Sequence, residues 1–411
     1  MQKSLLRIAG AQACGEGGNM MDNLTLDYVR DTVGKNNEWR NSTLNLIASE
    51  NIMFPEVSTE FYCNDFMHRY AEGKPFSRYY NGTKYIDDLE SKCQEYFKAH
   101  FKCHYADVRP ISGAIANLAV FSGLPKNTGK VVSNSLPAGG HITHNKMGTI
   151  ARICTKEVHN FALDKENPFK TDVDESIKII REVNPDFIIF GKSMFLHPEP
   201  VKEIREEFPE AVIVYDAAHV FGLLYANEFQ DPFKDGADII TASTHKTFPG
   251  PQGGIILIKN EMQFEKNIDT AIFPAILSNH HLHRIPALLA TAIAYDTLHK
   301  NYGRKVIKTA QKLAEMLAEA GYDVCGYDGK EYTYTHQVVL DVSKMGGGAV
   351  VADKLEKKNI IVNKNSLPWD KSVISPSGIR IGVQEVVLRG MSAEQIFEKL
   401  DNALKNKSIA E

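Results

Sequence analysis

The chain has only six cysteines in 411 residues, and none stands in a C-x-x-C pair. Cys14, Cys63, Cys93, Cys103, Cys154 and Cys325 are scattered, which leaves no frame for a zinc knuckle or a disulfide scaffold. Reduced thiols in a cytoplasmic protein are the simple expectation. An excess of charge of one sign is missing as well. The formal net charge is −4, so neither nucleic acid nor a membrane surface is expected as a partner. Long apolar runs are absent too, since no stretch approaches the roughly 20 residues that span a bilayer. The opening "MQKSLLRIAGAQAC" imitates a signal peptide only faintly, because Arg7 breaks its short apolar run. "GEGGN" (15–19) then reads as a flexible lead-in. No internal repeat and no low-complexity tract is visible.

What is there suits a large soluble protein. A 43% hydrophobic content over this length supplies more than one ordinary core. Short apolar runs, "KVVSNS" (130–135), "DFIIFG" (186–191), "AVIVYD" (211–216), "ADIITAS" (237–243) and "GGIILI" (253–258), predict strands. Between them, "ESIKIIREVN" (175–184) and "PEPVKEIREEF" (198–208) have helical spacing. Buried strands joined by helices predict an α/β domain, a mostly parallel sheet with helices on both faces. From about residue 296 the rhythm changes. A long helix (about 285–320), a strand in "YTYTHQVVLDVS" (332–343), helix "AVVADKLEKKN", strand "GIRIGV" and helix "SAEQIFEKLDNALKN" predict a smaller α+β domain. The expected division is an N-terminal arm or helix (1–36), a large domain (37–295) and a small C-terminal domain (296–411).

Ligands of parallel sheets bind at the carboxyl ends of the strands. There the chain places Asp216 and His219 in "DAAH", and Lys246 in "THKTFPGPQGG". Singly, a lysine after a strand is usually a solvated group and a strand-end aspartate usually a helix cap. Together they meet the two demands that pyridoxal phosphate makes on a protein. An amine can form a Schiff base with its aldehyde, and a carboxylate can pair with its pyridine nitrogen. "RPISGAIANLAVFSGL" (109–124) adds a turn, Ser112-Gly113-Ala114, opening a helix whose free N–H groups suit a phosphate. "SNSLPAGGHITH" (133–144) brings His141, a flat ring able to stack, to another strand end.

The segments "LNLIASEN" (44–51), "RYAEGKPFSRYYNGTKYIDDLE" (69–90), "GGHITH", "YDAAHVFGL", "STHKTFPGPQGG", "VNKNSLP" (362–368) and "SGIRIG" (377–382) follow the order seen in serine hydroxymethyltransferases. From about residue 26 to its end the chain resembles that family of fold-type I pyridoxal phosphate enzymes. The resemblance implies covalent attachment of the cofactor to Lys246, pairing of Asp216 with the pyridine nitrogen, and stacking by His141. It places His219 and Ser193 near the ring oxygen and the phosphate on Ser112, Gly113 and Ala114. Arg380 would grip the substrate carboxylate, with Ser49 helping to orient it and Tyr80 close to Lys246 and Arg380. Tyr70, Glu72 and Tyr79 would come from a neighbouring subunit of an obligate homodimer, able to pair further into a tetramer, with Glu72 as the acid–base group. The implied reaction is reversible Cα–Cβ cleavage between a β-hydroxy amino acid, serine, and glycine. Leu136, Ile142 and Asn365 match positions of the family's folate pocket, leaving room for tetrahydrofolate. The alternative is a folate-independent threonine-type aldolase or transaldolase.

Three departures bear on that choice. Ala114 stands where the family's phosphate turn has a second serine, and Gln252 where it has an arginine. "AILSNH" (275–280) replaces a glycine-rich loop that crosses the dimer interface toward the partner's phosphate. Glycine permits close approach and positive φ, so this loop is expected to take another path and to remodel the substrate mouth, with Asn279 or His280 contacting the phosphate. His280, His281 and His283 also invite a metal reading. Neighbouring histidines point apart and no acidic residue stands beside them, so no metal is expected.

Overall fold

The computed structural model describes residues 24–372 and 374–405; the leader-like opening, the GEGGN stretch and Cys14 lie outside them. The described residues divide into two compact units, one ending at Leu44 and the other beginning at Asn45. In the first, helix α1 (Leu26–Ser42) begins at Thr25, whose hydroxyl accepts the Tyr28 N–H, and none of its residues is buried.

The second unit is built on a seven-stranded sheet. Its strands are β1 (Tyr105–Asp107), β2 (Lys130–Ser133), β3 (Glu157–Asn160), β4 (Phe187–Phe190), β5 (Ile213–Asp216), β6 (Ile239–Ser243) and β7 (Gly254–Ile258). They lie in the order β1-β7-β6-β5-β4-β2-β3. The run from β3 to β6 is parallel, as expected for strands buried on both faces. β7 departs from the expectation and pairs antiparallel with both β6 and β1. Residues 244–253 are too few for a crossover, which needs about a dozen, so the chain must double back. β1 and β3 were not foreseen, because three residues and a polar "EVHN" give no apolar run.

Around this sheet lie α2 (Lys84–Phe101), α3 (Gly113–Gly123), α4 (Val173–Val183) and α5 (Val201–Glu207). α3 is apolar on nearly every side because it is enclosed. Ala116, Ala119, Val120 and Phe121 share one core with Val131, Phe187, Val214 and Ile256. The expected long helix near 285–320 is two helices, α6 (Arg284–Thr297) and α7 (Tyr302–Glu319). The break brings the Tyr302 hydroxyl to the Gln384 carbonyl and under the Asn51 amide.

A second sheet sets β8 (Asp323–Val324), β9 (Gln337–Asp341), β10 (Ile360–Asn365) and β11 (Gly378–Gly382) antiparallel in the order β10-β11-β9-β8. α8 (Gly348–Glu356) and α9 (Ala393–Lys405) complete it. β9 is shorter than its motif, because Thr335 is bent away to bond the Phe195 carbonyl. Among the described residues no helix is long and apolar enough to cross a membrane.

Candidate active site

Asp216 ends β5 and is buried. Its Oδ2 accepts from Asn117 Nδ2 (2.7 Å) and lies 2.9 Å from His144 Nε2, while Oδ1 accepts the Ala218 N–H at 2.9 Å. Burial alone would raise this carboxyl. The His144 hydrogen bond and charge, with lesser help from His141 and Asn117, outweigh it and hold Asp216 well below the usual carboxylate range. The backbone after β4 presses on the same residue. A Cβ at Gly191, where φ is +146°, would lie 2.6 Å from the Asp216 Cβ.

Lys246 follows β6 and is 8% exposed; its carbonyl accepts from Asn51 Nδ2 at 2.6 Å. Burial pushes its amine down to about 8, the Asp216 charge opposing the shift and the Arg380 charge adding to it. Arg380, in β11, is 6% exposed. One guanidinium nitrogen donates to the Ser193 carbonyl and another to Asn363 Oδ1 at 3.0 Å, while its Nε has no partner. Burial lowers it to about 10, and no carboxylate of the described residues pairs with it. Asn363 Oδ1 also accepts the Ala48 N–H, which sets the turn carrying Ser49 beside Arg380.

Ser112 caps α3: its hydroxyl accepts the Ile115 N–H and its carbonyl the Ala116 N–H. The N–H groups of Gly113 and Ala114 have no bond to a described residue, so the turn offers two backbone donors despite the missing hydroxyl at Ala114. A Cβ at Gly113 would meet Ser243 Oγ at 2.4 Å and the Ser243 nitrogen at 3.3 Å, so glycine lets the turn sit close against β6. His141 is half-buried, with Nδ1 2.7 Å from the Thr143 hydroxyl, and burial lowers it to about 4. His219 is buried and neutral, held far below the usual imidazole range by burial and then by the Lys246 and Arg380 charges. A cleft of about 480 Å³ is lined by His141, Ser193 and the three folate-pocket matches Leu136, Ile142 and Asn365. A larger cavity of about 1230 Å³ lies away from these residues; in its lining Arg304 pairs with Glu228, and the Gln230 amide donates to Asp235.

Tyr70, Glu72, Tyr79 and Tyr80 form a separate group within one chain. The Tyr79 N–H bonds the Glu72 carbonyl, the Tyr70 and Tyr80 rings meet edge to face at 5.7 Å, and Glu72 raises the Tyr80 hydroxyl above its usual value. No described hydrogen bond or ring contact ties Tyr80 to Lys246 or Arg380 within the chain. Within the chain, both Asn279 and His280 of the substituted loop have partners. Asn279 bonds the Arg69 carbonyl and the Ala71 N–H, while His280 Nε2 is buried 2.7 Å from Glu90. Glu90 also binds Arg78 at 2.8 Å, closing a buried triad. His281 is exposed, and His283 packs edge-on against Tyr62. Sequence reading missed the acidic partner because Glu90 stands 190 residues away. It also missed Asn117 and His144, although His144 ends the quoted "GGHITH" and Asn117 lies one turn past Gly113.

A strand-end lysine and aspartate, a phosphate-sized helix start and an unpaired buried arginine on a neighbouring sheet define the class: a fold-type I pyridoxal phosphate enzyme. The family model "Serine hydroxymethyltransferase" matches residues 25–403. Among relatives carrying that name, the Pyrococcus abyssi protein is 48% identical over 380 residues, covering 90% of this chain and 88% of its own. The Pyrobaculum neutrophilum protein is 45% identical over 376 residues (91% and 86%), and the Sulfolobus acidocaldarius protein 43% over 395 (94% and 90%). The chain belongs to the serine hydroxymethyltransferase family, transferases that interconvert serine and glycine.

Proposed function

We propose that this chain interconverts serine and glycine with pyridoxal 5'-phosphate carried covalently on Lys246, passing the one-carbon unit to tetrahydrofolate. The observation that carries the reading is a pair of buried cations, Lys246 and Arg380, with no carboxylate partner other than the charge of Asp216. Buried charge is costly unless matched, so the pocket is built for anions. When bound, the cofactor supplies an electron sink for charge developing at the substrate Cα. Asp216 would hold the pyridine nitrogen, Gly113 and Ala114 N–H with the Ser112 turn the phosphate, and His141 a face of the ring. Ser193 would approach the ring oxygen. The lowered Lys246 amine is unprotonated often enough near neutral pH to attack an aldehyde.

Arg380 would bind the amino-acid carboxylate as a planar fork, for which lysine is a poor substitute. Asn363 and the Ser193 carbonyl hold that fork in place. The cleft of Leu136, Ile142 and Asn365 has room for folate. Tyr70, Phe76, Tyr79 and Tyr85 are exposed in and beside the short hairpin that pairs Gly73–Lys74 with Ser77–Arg78 just after Glu72, which supports a homodimer placing Tyr70, Glu72 and Tyr79 in the partner's site. On this reading Glu72 moves the hydroxyl proton of the substrate. The placement of β1–β7 within 37–295 and of β8–β11 within 296–411 supports a division into an arm (1–36), a large domain (37–295) and a small domain (296–411), and the four buried unpaired cysteines support a cytoplasmic setting.

The test is turnover of L-serine by the purified protein with the cofactor, with and without tetrahydrofolate, alongside Lys246→Ala. Folate-dependent glycine formation and loss of the protein-bound cofactor absorbance in the variant are expected. Equal rates without folate would favour the aldolase alternative. Unchanged absorbance in Lys246→Ala would remove the cofactor assignment.

A further inference from the structure

Gln337 opens β9, is fully buried, and belongs to none of the motifs that mark the site. On β11 it lies opposite Gly382, while Val339 lies opposite Arg380. Side chains alternate along a strand, so Gln337 and Arg380 project from the same face of the sheet. They also share an acceptor: the Ser193 carbonyl takes one N–H from Gln337 Nε2 at 3.0 Å and one from Arg380.

The proton positions around this carboxamide follow from which groups can only give and which can only take. The Phe195 N–H can only donate, so the amide atom 2.9 Å from it is the oxygen. Nε2 therefore carries two hydrogens, and one goes to the Ser193 carbonyl. Two ring nitrogens lie near the other: His219 Nδ1 at 3.1 Å and His336 Nε2 at 3.2 Å. His336 Nε2 is itself 3.2 Å from the Ala48 carbonyl, which can only accept. That nitrogen therefore bears a proton and cannot receive another. His219 Nδ1 is the acceptor that remains. A neutral imidazole has one proton, and with Nδ1 accepting it must sit on Nε2. His219 Nε2 has no hydrogen bond to another described residue, so its N–H is left to donate to an oxygen of a bound ligand.

We propose that Gln337 is a positioning residue of this site, fixing His219 as the Nε2–H tautomer and holding the Ser193 carbonyl for Arg380. The inference rests on the place given to His219 in the proposed site. The tautomer, however, can be read on cofactor-free protein, so its failure is distinguishable from failure of that reading.

The experiment is ¹⁵N NMR of histidine-labelled, cofactor-free protein, with His219 assigned through His219→Gln, followed by kinetics of the cofactor-loaded enzyme. Nε2 protonated and Nδ1 bare is expected in the unsubstituted chain, with the ring neutral at pH 7. Gln337→Glu puts an acceptor where a donor stood, so His219 must then carry a proton on Nδ1. Its kcat should fall on the order of tenfold, as when an outer partner of a functional histidine is lost. KM for serine should change less, and the pH profile of kcat should shift. A proton on Nδ1 in the unsubstituted chain overturns the proposal, whether or not the variant folds. So does a loss of kcat in Gln337→Glu with the tautomer unchanged, which would mark a merely structural role. A changed tautomer with the same kcat and pH profile overturns it as well.

Discussion

Arg380 and Lys246 are buried cations with no ion-pair partner among the described residues, and both make measurable claims. Replacing Arg380 by Lys keeps a charge but removes the fork held between Ser193 and Asn363. A hydrogen bond to a charged group contributes about 1.5–3 kcal/mol, so kcat/KM for serine should fall roughly 10- to 100-fold. Steady-state kinetics with the loaded enzyme checks this. Lys246 is pushed down to about 8, so its free-amine fraction rises with pH and saturates above that value. The rate at which cofactor-free protein captures pyridoxal phosphate should rise through about pH 8 and then level off in stopped-flow absorbance. A rate that kept climbing toward the ordinary lysine range would contradict the burial.

At the scale of elements, the substituted loop and the tyrosine segment are held by one buried triad, Arg78, Glu90 and His280. Glu90, on α2, is fully buried and stays ionised: burial opposes this, and the His280 and Arg78 charges overcome it. Glu90→Gln leaves Arg78 buried with only Asp87 as counter-charge. Breaking such a group costs about 3–5 kcal/mol, which urea unfolding would record as a lower midpoint. A second element, the start of α3, depends on Gly113 lying flat against Ser243. Gly113→Ala should push the turn outward and weaken cofactor retention, read as a raised Kd in equilibrium dialysis, on the order of tenfold for about 1.4 kcal/mol.

At the scale of the whole molecule, buried and half-buried histidines set the acid limit. Burial lowers His141, His197 and His245 to about 4 and His336 to about 3, from an ordinary value of 6.5. The unfolded chain therefore takes up these protons near pH 6.5, while the folded chain waits until about pH 4. Between those values the unfolded state binds more protons, so stability falls as pH falls. The urea midpoint of cofactor-free protein should drop steeply from about pH 6.5 toward 4. A flat midpoint over that range would mean that these rings are solvated.

The sequence by itself determined the strand ends that bear the chemistry. Apolar runs such as "IVYD" and "IITAS", set between helical stretches, read as buried strands, with Asp216 at the end of one and His219 and Lys246 just beyond. Helix periods, the Ser112-Gly113 cap and the family motifs were legible for the same local reason: neighbours along the chain decide them. Tertiary structure decided what depends on distant partners. β7 runs antiparallel because ten residues cannot cross a sheet, a constraint visible in spacing but outweighed by its apolar pattern. His280 is paired with Glu90 because folding brings α2 beside a loop 190 positions away. Asn117 and His144 became partners of Asp216 only when α3 and the loop after β2 packed against the end of β5, and Gln337 became a partner of His219 only when the two sheets met. A residue's type and local period are written in its neighbours. Its hydrogen-bond partner is set by packing, which no local window contains.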